Sequence, residues 1–89
     1  MRDDIDIGSF EEPVHVATEA GERDVCSARE AAEMLLYDWP IGETGMRIQA
    51  RMTCMKVFAG TEPPTSARDA FVKAAKEARI LNEKYEEMH

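Results

Sequence analysis

The sequence predicts a single α+β domain in which a β-hairpin precedes three α-helices, ββααα. Three observations carry this. A period-2 stretch follows Pro13, a capping box opens at Ser27, and breaks at Pro40, Gly60 and Pro63-Pro64 cut the rest into three helix-length segments. Eighty-nine residues leave room for one domain. Residues 1–12 are expected to form an acidic, flexible N-terminal arm, and 13–89 the domain itself.

The arm holds Asp3, Asp4, Asp6, Glu11 and Glu12, with Ile5 and Ile7 alternating among the aspartates. A short edge strand is the competing reading, and the charge density favours an arm. From Pro13 onward Val14, Val16 and Thr18 alternate with His15, Ala17 and Glu19, as in a half-buried strand. Ala20-Gly21-Glu22 supplies a turn and Arg23 to Cys26 a return strand. A loop centred on Ala20-Gly21 would set Val16 opposite Val25.

Ser27-Ala28-Arg29-Glu30 reads as a capping box, with the Ser27 hydroxyl accepting from the Glu30 amide and the Glu30 carboxylate reaching back to the Ser27 amide. Helix one should run over about 28–38 with Ala28, Ala31, Ala32, Leu35, Leu36 and Trp39 on its buried face. Pro40 stops it, because the residue before a proline avoids the α region.

Residues 46–59 are ambiguous on pattern. Met46, Ile48, Ala50, Met52 and Cys54 alternate as in a strand. They also fall on two helical stripes, Met46-Ala50-Cys54-Phe58 with Val57, and Ile48-Met52-Met55-Ala59. The unbroken length and a glycine at 60, suited to a helix C′ position, favour a helix. Its polar wedge would be limited to Gln49, Thr53 and Lys56. Helix three is expected from Ser66, with Asp69 three residues on, to about residue 86. Its buried arc would hold Ala67, Ala70, Phe71, Ala74, Ala75, Ala78, Leu81, Tyr85 and Met88, with Asp69–Lys73 and Arg79–Glu83 pairs opposite.

Phe10-x-x-Pro13-Val14-x-Val16, Val25-x-Ser27-x-x-x-Ala31-Ala32-x-x-Leu35-Leu36-x-x-Trp39-Pro40, Ala50-x-x-x-Cys54 leading to Gly60, and Ala67-Arg68-Asp69-Ala70-Phe71-Val72-Lys73-Ala74-Ala75-Lys76-Glu77-Ala78 together resemble one family. It is the domain of unknown function 982 family, small proteins of soil alphaproteobacteria. The resemblance covers about residues 10–81 and implies a helical 46–59. It brings no assigned activity and no catalytic residues. The chain departs from the family pattern after Trp39-Pro40, where Glu43-Thr44-Gly45 replaces a basic residue before the glycine.

Composition excludes several functions. Eighteen acidic against eleven basic residues give a net charge of −7, which repels phosphate backbones and anionic membranes. No apolar run reaches the ~18–20 residues that cross a bilayer, and Met1-Arg2-Asp3-Asp4 lacks a secretory start, so a cytoplasmic protein is expected. Arg68, Lys73, Lys76 and Arg79 line one side of helix three, but Asp69, Glu77, Glu83, Glu86 and Glu87 share it, which disfavours a nucleic-acid reader. Arg47 and Arg51 are the less neutralised cations.

Of the two cysteines, Cys54 sits in an apolar stripe and reads as core. Cys26, before a helix N-terminus and near Arg23 and Arg29, could be an activated thiolate. The plainer reading is a small hydrophobe closing the hairpin. His15 alternates away from Val14 and Val16, and with His89 at the chain end no metal-ligand spacing arises. Trp39 reads as the largest core anchor. No cofactor, metal or catalytic residue is expected.

What stands out is surplus apolar surface. Met34, Tyr37, Val72 and Ile80 lie off the buried stripes, and helix two is apolar around most of its circumference. Ile48, Met52 and Met55 are therefore the candidate interaction surface. The expectation is a non-enzymatic interaction or regulatory module, a homodimer with a further, unidentified protein partner. The alternatives are a nucleic-acid-associated regulator and a small thiol enzyme using Cys26.

Overall fold

The computed structural model describes residues 8–82. Within them an antiparallel hairpin, β1 (Ser9–Thr18) and β2 (Gly21–Ser27), precedes three helices, α1 (Ala28–Tyr37), α2 (Gly45–Phe58) and α3 (Pro64–Glu77). The helices form one layer and the hairpin the other: α3 packs on β1, α1 on β2, and α2 against both neighbouring helices. The core lies between the layers around Val14, Val16, Val25, Leu35, Cys54 and Phe71.

β1 starts at Ser9, so Ser9–Glu12, assigned above to the acidic arm, belong to the sheet. The first seven residues of that arm lie outside the described residues. The early strand follows from Gly8. Its φ of +67° turns the chain, and its carbonyl accepts a hydrogen bond from the Ala28 amide at 2.9 Å. A Cβ there would meet Val57 Cγ1 at 2.8 Å and Ala28 Cβ at 2.9 Å, so only glycine fits.

The hairpin register differs from the expected one by two residues. Val14 pairs with Val25 and Val16 with Arg23, which places the two-residue turn at Glu19-Ala20. Thr18 holds that turn by accepting from the Ala20 amide at 3.1 Å, and Gly21 takes a φ of +120°. A shift of two preserves the side-chain faces, so Val14, Val16 and Val25 still point into the core. The strands fall out of step between Ser9↔Ser27 and Val14↔Val25, where five steps on β1 oppose two on β2. Arg68 of α3 covers that irregular stretch, donating from Nε to the Glu12 carbonyl at 2.8 Å and from Nη2 to Pro13 at 3.2 Å.

α1 starts at its capping box. Glu30 donates its amide to Ser27 Oγ at 3.1 Å, while its carboxylate accepts from the Cys26 amide at 2.8 Å, one residue upstream of the amide expected. The buried face is rotated from the predicted stripe: Met34 is 1% exposed whereas Leu36 is 51% exposed. α2 is helical, capped by Thr44, whose Oγ1 accepts from the Arg47 amide at 3.1 Å. Ala50, Cys54 and Val57 face the core as expected. Thr53 does too, against its assignment to the polar wedge, because its hydroxyl is satisfied by the Gln49 carbonyl at 2.8 Å.

The two long helices end alike. In α2, Gly60 donates to Val57 and Thr61 to Lys56, closing a Schellman motif with Gly60 at φ +83°. In α3 the same pair of bonds runs from Arg79 to Lys76 and from Ile80 to Ala75, with Arg79 at φ +62°. Helix three thus stops at Glu77 rather than near 86 and leaves Arg79 outside it, while Glu83, Tyr85 and Met88, expected on this helix, lie outside the described residues. It also starts at Pro64 rather than Ser66: proline's fixed φ suits the first helical position, and Ser66 bonds the Glu62 carboxylate instead of capping. Beyond the stop Ile80 enters the core at 6% exposure, and Leu81 bridges Val16. Ala17 donates to Ile80 and Asn82 to His15, both near 2.9 Å. This rung covers the outer edge of β1 at His15, Val16 and Ala17.

Candidate functional site

At about 100° per residue, the face of α2 opposite Ala50, Cys54 and Val57 is centred on Ile48, Met52, Met55 and Ala59. Ile48 is 38% exposed, Met52 50% and Met55 62%, so the solvent side of this helix is apolar at its centre. Met46 and Phe58 add exposed apolar area at its two ends. α2 carries Arg47, Arg51 and Lys56 and no acidic residue, in a chain of net charge −7.

Two of those cations are committed inside the fold, which corrects their reading as the less neutralised pair. Arg47 donates from Nε to the Leu35 carbonyl at 2.9 Å and from Nη1 to the Ile41 carbonyl at 3.3 Å, capping the end of α1. Arg51 forms a bidentate pair with Glu43 at 2.8 and 2.7 Å. The Arg51 hydrogen bonds, reinforced by charge attraction from Arg51 and Arg47, hold the Glu43 carboxyl below its ordinary range. The acidic loop Glu43-Thr44-Gly45 is therefore a clamp. Glu43 binds both arginines, and Thr44 Oγ1 donates to Glu77 at the end of α3 at 2.7 Å. Lys56 has no ion-pair partner among the described residues.

The surroundings of both thiols favour the protonated form. Cys26 is exposed, which corrects the reading of it as a buried residue closing the hairpin. Partial desolvation, then repulsion from Glu30 and Asp24, raise its pKa, opposite to the shift an activated thiolate needs. Glu30 is there because it completes the cap, so the feature that suggested activation also opposes it. Cys54 is buried in the core and its thiol is pushed up to about 11 by desolvation. His15 sits on the outer face of the hairpin with Nδ1 2.6 Å from Asp24 across the strands. No group of three or more His, Cys, Asp and Glu among the described residues could hold a metal ion. A groove of about 350 Å³ between α2 and α3 is lined by Lys56 and Lys73 but also by Glu62 and Asp69, so neither sign of ligand is favoured. Trp39, expected as the largest core anchor, is half-buried and packs against the core rather than within it, edge-on to Phe71 with ring centroids 5.6 Å apart, while its buried Nε1 finds no acceptor among the described residues.

The sequence had isolated Ile48, Met52 and Met55, and the fold leaves all three on one exposed ridge. Met34 and Ile80, named with them as surplus, belong to the core. Ile80 carried a signal in the sequence: it lies out of phase with the α3 stripe, as a residue beyond a helix end would.

Such a molecule is a small two-layer α+β domain that carries, among the described residues, an exposed apolar helix ridge. The chain belongs to the family described as protein of unknown function (DUF982), whose model matches residues 12–82. It is similar in structure to the Agrobacterium tumefaciens protein Atu1219, a structural genomics target solved by NMR. The two are 28% identical with a TM-score of 0.70, over 82% of this chain and 74% of that one. No curated protein matches the chain. No helix among the described residues is long and apolar enough to cross a membrane.

Proposed function

We propose that this protein is a non-enzymatic protein-interaction or regulatory module of the cytoplasm, acting as a homodimer through the outer ridge of α2. The ridge of Ile48, Met52 and Met55 is the observation that supports it most. A helix needs one apolar face to join its own core, and α2 has a second one directly opposite. Contiguous apolar surface of this kind is a common mark of an interface. The nucleic-acid alternative loses support because Arg47, Arg51 and Arg68 are all engaged within the fold. The thiol-enzyme alternative loses it because the pKa of Cys26 moves the wrong way.

Sedimentation equilibrium tests the reading. The unmodified protein should be dimeric at about 100 μM, a concentration that would populate even a small, weak interface. Met52→Glu or Met55→Glu should give a soluble monomer with unchanged helical circular dichroism. A monomeric unmodified protein at that concentration would refute it.

A further inference from the structure

We propose that the partner on this ridge is a second copy of the chain, its α2 packed antiparallel on the first, with the two-fold axis passing between Met52 and Met55. This rests on the interaction reading above and adds the geometry. Ile48, Met52, Met55 and Ala59 are spaced by four, three and four residues, the alternation of a two-helix seam with Met52 and Ala59 at a-type and Ile48 and Met55 at d-type positions. α2 and its cap thus present about two heptads, a seam roughly 21 Å long.

Side-chain size selects the orientation. An antiparallel pair centred here layers Met52 on Met55 of the second copy at the middle, and Ile48 on Ala59 of the second copy at each end. Large meets small at both ends and the helices keep an even separation. A parallel pair would stack Ile48 on Ile48 and Ala59 on Ala59, wide at one end and hollow at the other.

The flanks agree. In the antiparallel pair Lys56 lies beside Gln49 of the second copy, whose amide oxygen can accept from it, and Arg51 lies beside Phe58 of the second copy. A parallel pair would set Lys56 beside Arg51 of the other copy, cation next to cation, offset only in part by the Glu43 carboxylate that Arg51 already holds. The helix dipoles also favour the antiparallel arrangement.

Disulfide trapping distinguishes the geometries. Two preparations of the full chain, both carrying Cys26→Ser and differing by an isotope label, receive Met52→Cys in one and Met55→Cys in the other. They are mixed, oxidised with diamide and weighed intact without reductant. Cys54 is buried in both, and Cys26→Ser alone serves as the uncross-linked control. The expected product is the mixed dimer, about fivefold or more over either self-linked dimer, since only the central layer brings the two introduced thiols within bonding geometry. Predominantly self-linked dimers would overturn the antiparallel geometry. No cross-link from a mixture that still sediments as a dimer would overturn α2 as the contact while leaving a homodimer standing. Monomeric sedimentation of the unmodified protein would remove both.

Discussion

Removing the ring of Phe71 is the most direct test of the packing, because the site offers little with which to repair itself. Phe71 is fully buried at the centre of α3 and is flanked on its own helix by Ala67, Ala74 and Ala75. Alanines have no rotamers with which to reach into a hole, and the ring's largest neighbour, Trp39, is held at 5.6 Å in an edge-to-face contact that would be lost. Phe71→Ala should therefore cost about 3–5 kcal/mol, and the rigid surroundings favour the upper part of that range. A domain of 89 residues holds roughly 5–13 kcal/mol in total, so the variant should be folded but marginal. In urea the midpoint should fall by roughly 3 M with the slope unchanged. The chain has one tryptophan, so its fluorescence reports on this contact directly. Folded Phe71→Ala should show altered Trp39 emission before any denaturant is added. A loss below about 1 kcal/mol would refute the assignment of this face as the core, since a buried phenylalanine cannot be truncated so cheaply. Unchanged emission would refute the Trp39 contact.

Gly8→Ala should destabilise by about 2–4 kcal/mol in the same melts, because it combines a positive φ with close approach of the new Cβ to Val57 and Ala28. Arg79→Gly should stabilise by about 0.5–1 kcal/mol, since Arg79 occupies at φ +62° the Schellman position that Gly60 fills in α2; a loss of stability would mean that the arginine side chain makes a contact worth more than the strain. Cys54 should resist alkylation in the native state and label on unfolding. Its raised folded pKa means that the native state holds the proton where the unfolded chain releases it. The stabilisation from the neutral thiol is thus fully present below the ordinary thiol pKa of 9.0 and is lost as pH rises toward about 11. Cys54→Ala should flatten that part of the pH–stability curve, and an unchanged slope would show that other groups cause it.

Much of the candidate ridge was legible because α2 has no polar residue to mark its outer face. Ile48, Met52 and Met55 could be told from Ala50, Cys54 and Val57 by helical spacing alone, and small residues faced the core while longer ones did not. The basic residues were not legible. Nothing local says that Arg47 reaches back to the Leu35 carbonyl, twelve positions away, or that Arg68 spans to Glu12 and Pro13 on β1. Long side chains find their acceptors only after the elements are placed.

The same division holds for the fold. Local chemistry determined the elements and most of their limits: the Ser27–Glu30 cap, the stop before Pro40 and the glycine at 60 each act within a few residues along the chain. Strand alternation likewise determined which valines face inward. Tertiary packing decided the hairpin register, the early start of β1 at Ser9 and the end of α3. Each of those depends on a partner distant in sequence. Gly8 turns because Ala28 and Val57 lie against it, and Arg79 adopts a glycine's conformation because burying Ile80 and pairing Leu81 with Val16 return more than the strain costs. Helical periodicity in the sequence runs on to Met88, and the helix ends at Glu77 because the sheet edge beside it takes up Leu81.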